Sequence, residues 1–149
     1  EHDRHMYANA LDCRTRGLGI AALLYMRRVV EAEMDRIIDL IVEALPDDTD
    51  VEVREALVAL KGAYQFAEKA AVADARLPAS FFPGNQNPFT RLHDLTSDGV
   101  HNLDDVESSE RFDECQALFE MLFQKLLRDR QTQRLYRERL TSLKRKSRT

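Results

Sequence analysis

The sequence predicts an all-α fold, an antiparallel bundle of four to five helices with a long basic C-terminal helix. Three observations carry that expectation. Apolar residues recur at three and four along long stretches, the spacing of a helix with one buried stripe. No stretch alternates apolar and polar over five residues, so no strand is expected. Only 5 Gly and 4 Pro punctuate 149 residues, which leaves room for few breaks.

The first long helix is expected from Thr15 to Leu45, where Ile20, Leu23, Leu24, Val30, Met34, Ile37, Ile38, Ile41 and Leu45 form the stripe. Gly17 and Gly19 mark a bend near its start, or a break from a shorter helix at Tyr7–Arg14. Pro46 and the run Asp47-Asp48-Thr49-Asp50 stop it, and the same run offers caps to the next helix. That second helix spans Val51 to Arg76, with Val53, Leu57, Leu60, Tyr64, Ala67 and Ala71 facing inward. Pro78 ends it. The segment 78–88 holds two phenylalanines among three prolines and is expected to be pinned to the core. A short helix follows from Pro88 to Thr96, with proline suited to its first turn.

The last helix starts at Asp104 or Asp105, where acidic residues complement the helix N-terminus. Its stripe is Phe112, Cys115, Leu118, Phe119, Leu122, Phe123, Leu126 and Leu127. The stripe turns polar at Arg130 and Gln133, then is expected to resume in the same phase at Tyr136, Leu140 and Leu143. Three units result: a segment or short helix over 1–14, a bundle over 15–128 and a basic helical extension over 129–149. The chain starts at Glu1 without a methionine, so a fragment or processed form is expected.

Net charge is −4, but residues 125–149 hold ten Lys/Arg against two Asp/Glu, while 1–124 hold twelve against twenty-four. An acidic body thus carries a basic tail. Two cysteines make no disulfide framework, and a reduced, cytoplasmic setting is the default. No apolar run is long enough to span a membrane. Phosphate-loop, dinucleotide and nucleophile-elbow motifs are absent. His93, Asp94, Asp98, His101, Asp104 and Asp105 are close in sequence, but the acids are better explained as helix-start residues. Neither a metal nor a cofactor is expected.

Two polar groups interrupt these patterns. Arg27 falls within the first helix's apolar stripe, with Glu31 four residues on and Arg28 able to reach the same carboxylate. A buried pair there is costly without further partners; a surface pair at the stripe's edge contributes a few tenths of a kcal/mol at most. The second group is 92–102, where Gly99 can end the short helix and His101 sits ahead of the last one. An imidazole fixed there can act as general base or phosphate contact, or simply brace the turn.

The segment Tyr25-Met26-Arg27-Arg28-Val29-Val30-Glu31 resembles the LRR-hydrophobic-x-E opening of certain bacterial HEPN-like helical domains. The segment Leu95-Thr96-Ser97-Asp98-Gly99-Val100-His101 is similar to their LSxGxH stretch. The resemblance covers roughly residues 15–128. It implies a four- or five-helix bundle, often dimeric, with the Arg–Glu pair near the histidine, commonly appended to a larger bacterial protein. Many such domains are ribonucleases of toxin and phage-defence systems; others bind nucleotides or partners. Catalytic members carry an arginine separated from a histidine by four to six intervening residues. Here the positions that would precede His101 are Asp94, Leu95 and Thr96.

The first functional expectation is therefore a non-catalytic interaction or dimerisation module of a larger, bacterial protein, with a homodimer or another chain as partner. The second is a divergent metal-independent ribonuclease using His101 with Arg27 or Arg28, and Glu31 beside them. The third is a nucleic-acid adaptor acting through Arg128, Arg130, Arg134, Arg137, Lys144, Arg145 and Lys146.

Overall fold

The computed structural model describes residues 2–62, 65–77, 82, 84, 87–97 and 102–147. Among them the chain is helical, with no strand. Six α-helices are present where four to five were expected: α1 (His2–Thr15), α2 (Gly19–Ala44), α3 (Val51–Ala59), α4 (Phe66–Arg76), α5 (Pro88–Ser97) and α6 (Asp105–Lys146).

Two breaks set this count, one at the expected place near Gly17 and one inside the expected second helix. Gly17 adopts φ +76°, a left-handed conformation that a residue with a Cβ rarely takes, and it separates α1 from α2. The first long helix therefore begins at Gly19 rather than Thr15. The expected second helix is divided as well. A 3-10 turn at Leu60–Gly62 ends α3, and Gln65 is extended at φ −109°, ψ 133° before α4 begins. That break resets the helical phase. Phe66, Ala70 and Ala73 face the core, whereas Ala67 and Ala71, expected to be inside, are exposed. Tyr64 lies outside the described residues.

The core forms around α2, which packs against α1 and most extensively against α6, while α5 lies on both α4 and α6. Leu23, Met26, Val30, Met34, Ile37 and Ile41 of α2 meet Phe112, Cys115 and Leu126 of α6, all nearly or fully buried. Fully burying one such side chain contributes about 1.5–3 kcal/mol. Leu24 and Leu127, expected in the stripes, are exposed. Phe82 is buried and meets the Phe89 ring edge-on at 5.8 Å, as expected of the pinned loop. Phe81 lies outside the described residues.

Caps set the helix ends. Asp50 accepts from the Glu52 amide at 3.0 Å to start α3, and Asn87 Oδ1 accepts from the Phe89 amide at 2.8 Å to start α5. Asp104 and Glu107 form a reciprocal capping box on α6. The start of α2 is capped from a distance. Leu18 has no capping side chain, and Asp105 of α6 instead accepts from the Ile20 amide at 2.9 Å. At the other end of α2, Arg54 of α3 donates to the Val42, Leu45 and Pro46 carbonyls. A cation thus satisfies acceptors that a helix C-terminus leaves open.

Candidate functional site

Three helices enclose a cleft of about 330 Å³ lined by Arg27, Glu31 and Met34 of α2, Phe66, Ala67 and Lys69 of α4 together with Gln65 just before it, and His93 of α5. Each wall has a local origin. On α2 the side chains advance by about 100° per residue, so Arg27 lies only about 20° from the line of Met34. It occupies the flank of the stripe, where the cleft leaves it partly open. Its Nε donates to Glu31 Oε1 at 2.9 Å, and the two side chains are 43% and 40% exposed. Arg27 is therefore a rim pair of an i,i+4 helix face and not a buried charge, and its contribution to stability is a few tenths of a kcal/mol at most.

On α4 the lining begins at the helix N-terminus. Gln65 makes no side-chain hydrogen bond to the first turn, and the positive end of the helix dipole faces the cleft side that Gln65, Phe66 and Ala67 line. Lys69 follows within the first turn. Its side chain is 11% exposed and its Nζ lies 2.9 Å from Asp35 Oδ1 of α2. This ion pair ties α4 to α2 beside the cleft. From α5, His93 packs its ring on Phe66, centroids 5.5 Å apart and planes tilted by 53°. Its Nδ1 stands 3.5 Å from Asp94 Oδ1, at the outer limit of a hydrogen bond.

The cleft therefore gathers two cations, each already paired with a carboxylate, beside a helix N-terminus and an imidazole. Arg27, Lys69 and a helix N-terminus supply positive potential, His93 supplies a ring nitrogen, and Glu31 and Asp35 already balance the two full charges. The sequence singled out Arg27 and Glu31; the structure adds His93, Lys69, Gln65 and Phe66 to them. Lys69 carries no sequence signal, because its place depends on the break that restarts α4. His101 lies outside the described residues. Arg28 is exposed and lines a neighbouring depression with Ala21, Leu24 and Tyr25, on the other side of the Arg27–Glu31 pair, which borders both.

The basic residues of α6 occupy a different region. The helix is 42 residues long, roughly 63 Å at 1.5 Å per residue. Arg130 Nη1 is 3.5 Å from Glu43, Arg137 Nη2 is 2.6 Å from Asp47, and Arg134 Nε is 3.0 Å from Glu138. Arg130, Arg134 and Arg137, among the seven cations proposed for phosphate contact, are thus engaged by this chain's own carboxylates. Arg128, Lys144, Arg145 and Lys146 are exposed.

The phase of this region departs from expectation. Arg130 and Arg137 fall within about 40° of the line through Leu126 on one side, whereas Leu140 lies about 40° and Tyr136 and Leu143 about 80–100° off it on the other. The apolar row is 61%, 41% and 63% exposed. The core line continues into the tail as arginine, and it meets the acidic end of α2.

Among the described residues no three His, Cys, Asp or Glu side chains stand together as a metal-ligand set, and no helix is long and apolar enough to cross a membrane. Cys115 is buried, and burial pushes its thiol up to about 12, so it is a core residue and no nucleophile. Compared with known protein families, with characterised proteins and with solved structures, the chain shows no match.

Proposed function

We propose that the chain is a non-catalytic helical interaction module, an antiparallel HEPN-like bundle with a basic C-terminal helix, working within a larger bacterial protein. One observation carries this reading. The C-terminal part of α6 exposes Leu135, Tyr136, Leu140 and Leu143 on a helix that the body's own elements leave uncovered. Exposed apolar residues repeated along one element mark an interaction surface more than a solvated helix end. The cations around them give that surface a preference for an acidic partner, by electrostatic complementarity.

The test measures two properties of the purified chain. Light scattering over a concentration series is expected to show association, weakened when Leu135, Leu140 and Leu143 are changed together to Ser. Incubation with mixed RNA is expected to leave the RNA intact. RNA cleavage that is lost on changing a cleft residue would overturn the reading.

A second reading rests on the cleft. Arg27 and His93 line the same space, which supports phosphodiester chemistry with Arg27 holding a phosphate and an imidazole acting as general base. His93→Ala and His101→Ala, assayed separately for RNA cleavage, identify which histidine carries such an activity. Activity unchanged in both variants removes this reading.

A further inference from the structure

The two ends of α6 carry opposite charge. Residues 105–124 contain six acids and one base, net −5, and residues 127–146 contain eight bases and two acids, net +6. Both ends show the same outward face. Val106, Met121, Leu135 and Leu143 are 68%, 62%, 50% and 63% exposed, and Glu110, Ala117, Arg128 and Arg139 between them are exposed as well. Successive members of this row are four or seven residues apart, so they form one seam about 140–180° from the buried line through Leu126, with Leu143 at its edge, about 100° from that line. The seam runs the length of the helix. It passes between the side held by α1, through Arg14–Asp113, and the side held by α5, through Arg91–Glu114.

We infer that this seam is the contact surface of a homodimer in which two copies of α6 lie antiparallel, the acidic half of each against the basic half of the other. The inference deepens the interaction-module reading above and rests on it. A parallel pairing would set net +6 against net +6, and like charges along a helix seam repel. An antiparallel pairing opposes unlike halves twice and is closed by a two-fold axis, so the same patch serves both copies and no open chain grows. Placing the axis between Gln124 and Lys125 sets Val106 opposite the partner's Leu143 and Glu110 opposite the partner's Arg139. Met121 then lies on the stem of the partner's Arg128. Each end thus has one apolar pair and one ion pair, and the free end of each tail gains an acidic surface to lie on.

The experiment is a charge exchange read by sedimentation equilibrium of the full chain at low salt. Wild type is expected to dimerise, with the dimer weakening as salt rises. Glu110→Arg alone and Arg139→Glu alone are each expected to weaken the dimer at least tenfold. The chain carrying both changes is expected to recover it, because each new arginine faces a new glutamate on the partner. A chain carrying Val106→Cys and Leu143→Cys is expected to form a covalent dimer on oxidation. A wild-type dimer insensitive to either single change, or no recovery in the double variant, overturns this seam and leaves the interaction-module reading intact. A wild type that stays monomeric at every concentration overturns the seam. If the same chain also binds no acidic helical peptide, the module reading falls with it. Circular dichroism of each variant shows whether it remains folded.

Discussion

Gly19 is the position where a single hydrogen matters most. A Cβ built there would run into the Asp105 carbonyl oxygen and lie 2.5 Å from Ser109 Oγ and 2.7 Å from Ser109 N. Two of these neighbours are backbone and cannot swing aside, so α2 and α6 would have to move apart where Asp105 caps the Ile20 amide. Gly19→Ala is expected to destabilise the fold by at least about 1–3 kcal/mol, measured by urea denaturation; an unchanged midpoint would show that the two helix starts do not touch. A second residue-scale prediction concerns Arg14 and Asp113, held by two hydrogen bonds at 2.8 and 2.7 Å. The guanidinium keeps the Asp113 carboxyl below its ordinary value, against the opposing effect of desolvation. A depressed folded value means that the contribution is complete above the unfolded pKa of about 3.9 and is lost as pH falls through the lower folded value. The melting-temperature gap between wild type and Asp113→Asn should therefore be constant at neutral pH and close only below about pH 4. A gap that instead closes near neutrality would assign it to another group.

At the scale of elements, the outcome turned on starts and stops. The start of α6 was legible to within a residue from its acidic cluster, and the reciprocal cap between Asp104 and Glu107 is local to that cluster. Asp104→Ala is expected to cost about 1 kcal/mol, visible as a lowered midpoint in denaturant. A loss of the same size in Asp105→Ala would come from a different helix, since Asp105 caps α2. The division of α3 from α4 was not legible. Leu57, Leu60 and Tyr64 keep a helical spacing straight through the break, and a periodic pattern persists whether or not the backbone stays helical. What the break changes is the face presented afterwards, and so it decides that Lys69 reaches Asp35 while Ala67 is left exposed at the cleft and not in the core.

For the whole molecule, the division between acidic body and basic tail reappears as two ion pairs, Arg130–Glu43 and Arg137–Asp47, that fasten α6 to the end of α2. These pairs are exposed and contribute little each. Truncation after Arg137 is accordingly expected to leave the body's stability within about 0.5 kcal/mol while reducing self-association; a large loss of stability would place the tail in the core. By itself the sequence determined the all-helical class, most of the stripe of α2 and of the first part of α6, the buried phenylalanine and the acidic start of α6. All of these follow from spacing along one element or from neighbours within a few residues. Only the tertiary structure decided that Arg27 sits at a rim, that His93 and Lys69 share its cleft, and that the arginines of α6 face the acidic end of α2. Those outcomes depend on where separate helices end and on the angle at which each meets the next, and that angle is set by contacts between residues as far as 113 positions apart.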